Sequence, residues 1–273
     1  MPIKEIKTTS NATRQMTVLK FDYDKKTANK SLITGKKRIS GRGNKGQISV
    51  RDRGGGSKRN YRLIDTSRLN YLGNKAKVIA INYDPNRSAN IALIHYSDNV
   101  WSYIIAPEGL RAGGEVICDQ KTSIRIGNRM KLENIPASTQ VYNVELTVHG
   151  GGQIVRSAGA YSTLLGFDDK YAQLKLSSGE VRKVFKECFA SIGIVSNQDH
   201  SNVVVGKAGR KRHMGKRPHV RGKAKNPCDH PHGGGEGGSP IGLTHPKTPW
   251  GMPALGRKTR NKKKKSNKLI ISK

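Results

Sequence analysis

Five side chains able to do chemistry fall within nine residues: Cys228, Asp229, His230, His232 and Glu236. A histidine can act as a general acid or base near neutral pH, and one cysteine with two histidines is a partial zinc set. The stretch 225–238 reads KNPCDHPHGGGEGG, so Pro227 and Pro231 each fix φ and remove a backbone donor. Alternating side chains of a proline-locked, extended chain point poorly toward one metal, and structural zinc usually takes four ligands. Nothing in the chain supplies a nucleophile or a substrate pocket to accompany His230. The expectation is therefore no catalytic residue, no metal and no cofactor. A glycine-rich run of this kind is either a floppy linker or a backbone laid tightly against a ligand. The charge of the whole chain favours a polyanion as that ligand.

The chain has 273 residues, 51 Lys and Arg against 19 Asp and Glu, and a formal charge of +32. Such a charge calls for an anionic partner, either nucleic acid or a membrane surface. No apolar run reaches the ~18 residues of a spanning helix. Residues 1–7 show no apolar stretch of signal-peptide type, and the basic segments lack the Trp/Phe/Leu face of an interfacial helix. Nucleic acid leads, and no membrane partner is expected. The charge is unevenly placed: residues 1–62 carry 17 basic and 4 acidic residues, 63–200 carry 15 and 13, and 201–273 carry 19 and 2. Cys118, Cys188 and Cys228 are odd in number and unpaired in spacing, which suggests a reducing compartment. Cys118 and Cys188 lie in apolar runs and read as buried small hydrophobes.

The basic ends are punctuated by glycine. Residues 40–46 read SGRGNKG, 51–62 read RDRGGGSKRNYR, and 206–222 read GKAGRKRHMGKRPHVRG. Gly41, Gly43 and Gly46 spell GxGxxG, as do Gly233, Gly235 and Gly238, but neither has the strand, helix and acid of a dinucleotide site. Glycine mixed with Arg and Lys suits direct contact with phosphate, because backbone N–H groups approach closely and guanidinium forks bind bidentately. On composition alone a solvated, disordered basic tail fits as well.

The elements that position these ends lie in the middle. Runs at 76–83, 90–96, 100–106 and 115–118 read as short strands separated by turns, the first of them DPNR at 84–87. They suggest a small barrel of the OB type over 63–128, with His95 among core strand residues. A second group, with strands at 141–148, 171–176, 180–185 and 188–195, suggests an SH3-like barrel over 129–200. A hairpin turn falls at 177–179, and a short helical turn is read at 157–165. The fold class expected is mostly β: an OB-type barrel, then an SH3-like barrel, with long basic irregular extensions at 1–62 and 201–273. Those extensions cannot bury a core and either stay disordered or fold on a partner.

At 226–237 the sequence NPCDHPHGGGEG resembles the signature of the bacterial-type large-subunit ribosomal protein two family, a universal protein of the large subunit. The family has NPVDHPHGGGEG, so only Cys228 departs. RGGG followed by KR and YR at 53–62, YDPNR at 83–87, LIHY at 93–96, LSSGEVR at 176–182, GKRP at 215–218 and TPWG at 248–251 also agree, in order. Ser57 departs where the family commonly has histidine. The resemblance spans essentially the whole chain. It implies two barrels with RNA-threading extensions that bind large-subunit ribosomal RNA near the peptidyl-transferase region. It further implies support of assembly, subunit association and tRNA placement. The implied partners are that RNA, other ribosomal proteins, and the small subunit at an intersubunit bridge, with the chain a monomer within the ribosome. The implied place is a bacterial cytoplasmic ribosome, or alternatively a plastid one. RNA contacts are expected first from Arg42, Lys45, Arg51, Arg53, Lys58, Arg59, Tyr61, Arg62 and Arg87. In the C-terminal segment they are expected from Arg210, Lys211, Arg212, Lys216, Arg217, Arg221, Asn226, Asp229, His230, His232, Trp250, Arg257, Lys258 and Arg260. A nucleic-acid enzyme or RNA chaperone would instead need an acidic metal cluster or nucleotide loop. A DNA-binding protein would need a recognition helix, and neither pattern is present.

Overall fold

The computed structural model describes residues 3–20 and 29–272; residues 1, 2, 21–28 and 273, parts of the basic ends, lie outside the described residues. Strand alternation builds the first barrel. Along Lys75–Asn82 every second side chain from Ala76 onward is buried, the period of a strand with one face inward. This strand pairs antiparallel with Ile91–Tyr96 and with Glu115–Ile117, and Ile91–Tyr96 pairs with Trp101–Ile105. Ala76, Val78, Ile94, Tyr96, Ile104 and Val116 fill the interior, with Tyr71 stacked on Tyr96 at 4.3 Å. Ile91 and Leu93, on the other face, are buried because Leu32 and Ile64 pack against them and Tyr103. His95 keeps its place on the strand but not in the core. It occupies an outward position between Lys77 and Trp101, since Ile94 and Tyr96 take the inward ones. Its Nε2 lies 2.9 Å from Asn99 Oδ1, and its ring lies 4.5 Å from that of Trp101.

The second barrel is a seven-stranded sheet, in the order Ile270–Ser272, Val181–Phe185, Tyr171–Leu176, Ser162–Asp168, Gln140–Tyr142, Phe189–Ile192, Arg129–Lys131. The expected hairpin is present, with Leu174 opposite Arg182 and Gly179 at φ +89° in its turn. Its core runs through Met130, Leu132, Val141, Leu164, Leu174 and Val184. The helical turn read at 157–165 is not there. Ser162–Asp168 is a strand, because Ser162 and Leu164 alternate into the core and Leu164 pairs with Leu174. The single strand read at 141–148 is broken at Asn143, whose φ of +50° turns the chain. Val144–Glu145 then pairs with Gly152–Ile154 outside the main sheet. A side chain at Gly152 would collide with that of Asn143.

The barrels are fused through polar groups as well as apolar ones. Ala89 and Ile105 of the first share a cluster with Tyr142 and Val195 of the second. The Tyr142 hydroxyl donates to the Ile105 carbonyl at 3.3 Å, and burial pushes its pKa up to about 12. Arg129, fully buried, donates to the Ser67 and Asn143 carbonyls at 3.0 and 2.8 Å and pairs with Glu145 at 2.8 Å. Cys118 and Cys188 are buried free thiols, as expected. Burial raises both, that of Cys188 to about 12. Together with 1–38, 58–210 and 268–273, the barrels form one compact unit, and Ile39–Ser57 with Lys211–Asn267 form another. Among the described residues no helix is long and apolar enough to cross a membrane.

Candidate nucleic-acid interface

The second unit is held by backbone bonds and not by a core: of its residues only Gly41 and His230 are buried. Segments far apart in sequence run side by side. Gly54 N–H donates to the Gly215 carbonyl at 3.0 Å, Ser57 N–H to His213 at 2.9 Å, and Arg217 N–H to Asp52 at 2.9 Å. Arg53 and Lys216 form an antiparallel bridge between these bonds. Glycine is needed here: a Cβ on Gly56 would sit 3.0 Å from the Gly215 Cα. The Asp52 carboxylate closes the join on His219 Nδ1 at 2.5 Å.

A groove of about 690 Å³ in this unit is lined by Arg42, Arg51, Arg53, Arg217 and Lys225, together with Ile48, Val50 and Val220. Lys45, Lys211, Lys216, Arg221, Arg257, Lys258 and Arg260 are also exposed. Arg212 is half-buried. Arg260 is engaged with Asn267 and Ser266, and Arg257 with the Met252 sulfur. Trp250 sits at the tip of a tight loop. Thr248 N–H donates to Met252 at 2.7 Å, Gly251 N–H donates to Thr248 at 2.9 Å, and Gly251 adopts φ +78°. Its indole is 78 % exposed, and the Arg51 guanidinium lies 5.6 Å from the ring centroid.

The histidine loop is folded on itself. His230 and Asp229 N–H groups donate to Asn226, Gly233 N–H to His230, and Gly234 N–H to Lys225. His232 N–H donates to His230 Nδ1 at 3.0 Å, and Lys247 N–H donates to His232 Nε2 at 2.8 Å. The two imidazoles meet edge to face at 4.7 Å. His230 is only 8 % exposed and lies over Gly222, where a Cβ would stand 2.5–2.8 Å from its ring atoms. Asn226, Cys228 and Asp229 face solvent. Burial, then the charges of His232, Lys225 and Arg51, lowers the His230 pKa below the ordinary histidine value.

Two expected results follow from this loop. Gly222→Ala should open it, because the ring is fixed by its acceptor bond and cannot retreat. The cost is of the overpacking order, ~1–3 kcal/mol, visible as faster amide exchange at 230–234. Acidification should do the same with a defined sign. A histidine whose folded pKa is depressed binds more protons unfolded, so its contribution is intact above about pH 6.5 and fades as pH falls through the folded value. The His232 amide, which donates to His230 Nδ1, should therefore lose exchange protection as pH falls below about 6.5. Equal protection of that amide at pH 7.5 and 5 would show that the His230 acceptor nitrogen does not hold the loop.

The remaining expected residues lie on the barrel unit, where Arg62 and Arg87 gather on Asp84, which is fully buried. Arg87 Nε lies 2.6 Å and Arg62 Nη1 3.5 Å from its carboxylate. Arg59 donates to the Pro85 carbonyl at 2.9 Å, and Asn86 reaches the Asn60 carbonyl at 2.6 Å. Tyr61 carries the Lys36 ammonium 5.2 Å above its ring. Lys58 is exposed, and Arg210 donates to the Thr17 carbonyl at 3.2 Å. Sequence reasoning missed Lys225 in the groove, Gly222 under His230, Lys36 over Tyr61, and half-buried Arg156. The Arg156 pKa is lowered by burial and by neighbouring Arg87. Lys225 opens the quoted stretch 225–238 and Gly222 closes the quoted stretch 206–222, so both lie where the sequence signal is strong. No local signal marks Lys36 or Arg156.

Two fused β-barrels, one buried carboxylate gathering arginines, and a coreless basic unit held by backbone bonds fit a structural RNA-binding protein. Residues 29–118 match the Ribosomal Proteins L2, RNA binding N-terminal domain, and residues 125–251 match the Ribosomal Proteins L2, C-terminal domain. The chain belongs to the ribosomal protein L2 family: it is an RNA-binding structural constituent of the ribosome.

Proposed function

We propose that the chain binds large-subunit ribosomal RNA near the peptidyl-transferase region and supports subunit assembly, subunit association at an intersubunit bridge, and tRNA placement. It acts as a monomer within a bacterial cytoplasmic ribosome or a plastid one. The observation that carries this reading is the coreless unit. Residues 39–57 hold 4 basic and 1 acidic residues, and 211–267 hold 15 and 2, so a polyanion is the partner that completes the unit's charge balance. Arg42, Lys45, Arg51, Arg53, Lys58, Lys211, Lys216, Arg217, Arg221, Lys258 and Trp250 contact RNA directly. Arg59, Tyr61, Arg62 and Arg87 present a second patch, and Arg210, Arg212, Arg257 and Arg260 add contacts beside their internal bonds. Asn226 and Asp229 meet RNA from the histidine loop, Asp229 as an acceptor for 2′-hydroxyls. His230 and His232 serve the contact by holding that loop in shape.

Ultraviolet crosslinking in cells, with sequencing of the attached RNA, tests the reading. Crosslinks should cluster in a few helices of large-subunit ribosomal RNA. Scatter over many transcripts would make the protein a general RNA chaperone instead. His230→Ala should weaken assembly or association. Normally assembled mutant ribosomes that fail in peptide-bond formation would sink the structural role.

A further inference from the structure

Trp250 poses a problem that phosphate binding does not solve. An indole 78 % exposed at the tip of a hydrogen-bonded loop has nothing to offer a phosphate except one uncharged N–H donor. Its π-face suits a flat, weakly hydrated group. The guanidinium near that ring belongs to Arg51, which also lines the groove. Arg51 thus joins an aromatic face to a pocket that Ser40, Gly54 and the Asp52–His219 pair also line and whose remaining residues are of two kinds. Arg42, Arg53, Arg217 and Lys225 are cationic, and Ile48, Val50 and Val220 are apolar and each more than half exposed. A wall of arginines alone would suit phosphate. Arginines beside exposed aliphatic side chains and an indole suit a whole nucleotide, with its charged and its apolar parts separated.

We infer that Trp250 and Arg51 form a stacking platform for an unpaired RNA base, with the phosphates flanking that base held by the arginines of the adjoining groove. This deepens, and rests on, the RNA-binding reading above. The base must be unpaired because a base within a duplex has both faces covered by its neighbours and cannot lie on a protein ring. The recognition is tolerant of base identity, since every base has a π-face and neither the indole nor the guanidinium is placed by a fixed partner that would read one edge.

The test measures binding of the full chain, wild type and variants, to three RNAs of equal length: a single strand, the same strand with its bases removed, and a duplex. Trp250→Ala should weaken binding to the base-bearing strand by ~10-fold or more and leave the abasic strand unchanged. Trp250→Phe should restore most of the loss. Arg51→Lys, which keeps the charge and loses the plane, should repeat the selective effect more mildly. The wild type should also prefer the single strand to the duplex. If Trp250→Ala leaves both strands bound as before, the platform is wrong while RNA binding stands. An equal loss on both strands means that the indole shapes the loop without stacking on bases, and this also overturns the platform. Failure of the wild type to bind any of the three would remove the RNA-binding reading itself.

Discussion

Between 50 and 200 mM salt, the affinity of the full chain for large-subunit ribosomal RNA should fall ~10³–10⁵-fold, the response to releasing the counterions of ~6–10 phosphates. The number of phosphates follows from which cations face outward. Arg42, Lys45, Arg51, Arg53, Lys211, Lys216, Arg217 and Arg221 are exposed on the unit that has no core. Arg62 and Arg87 count for less, because the Asp84 carboxylate already neutralises part of their charge. Binding measured across a salt series gives the slope, and single replacements divide it. Arg217→Ala, which removes one groove cation, should lower the slope by about one and weaken different RNAs alike. Asp52→Asn should leave the slope almost unchanged, since its carboxylate is turned onto His219. A flat salt response would remove the basic segments as the binding element and leave the barrel faces to account for it.

The barrels were legible in the sequence because their signals are local. Lys75–Asn82 alternates, and its turns to the next strands carry Asp, Pro and Asn. The hairpin at 171–185 is marked by its own turn. The errors came where a distant residue decides. Asn143 breaks its strand because its side chain fills the space a Gly152 Cβ would occupy and its amide reaches the Thr66 carbonyl at 3.1 Å. Ser162–Asp168 lacks the β-branched run of a plain strand and is fixed by its pairing with Tyr171–Leu176. The site was legible as a list of residues and illegible as an arrangement. Charge and glycine located both basic segments, yet the join of residues 52–57 to 213–217 runs through backbone N–H and C=O groups that every residue carries. The signature pointed to His230 without showing that its ring faces Gly222 and accepts a bond from within the loop. A histidine beside exposed Asp229 reads the same in sequence whether it faces ligand or its own chain.

Arg129→Met should destabilise the barrel unit by ~3–5 kcal/mol, the usual cost of leaving one member of a buried ion pair alone. Both partners are inaccessible to solvent, so no water can replace the lost guanidinium. Glu145 would retain only the Phe189 N–H at 3.1 Å, and the Ser67 and Asn143 carbonyls would lose their donor. These acceptors come from both barrels, which is why the loss falls on their fusion and not on one core. Burial lowers the Arg129 pKa against the opposing Glu145 charge, and taking two charges out of water offsets much of the attraction in a buried pair. The pair therefore stabilises less than its geometry suggests, and what makes the single replacement severe is the carboxylate left behind. Replacing both, Arg129→Met with Glu145→Leu, should recover much of the loss, though not all, because the two carbonyls stay unpaired. Denaturant unfolding of the full chain, followed by far-ultraviolet circular dichroism, reads each variant. The single replacement should unfold earlier and less cooperatively, and the double should lie between it and the wild type. If the single and double replacements cost the same, the bonds to Ser67 and Asn143 carry the effect and the salt bridge is incidental. If neither costs more than ~1 kcal/mol, below the usual range for a broken buried pair, the fusion of the barrels rests on the apolar cluster of Ile105, Tyr142 and Val195 instead.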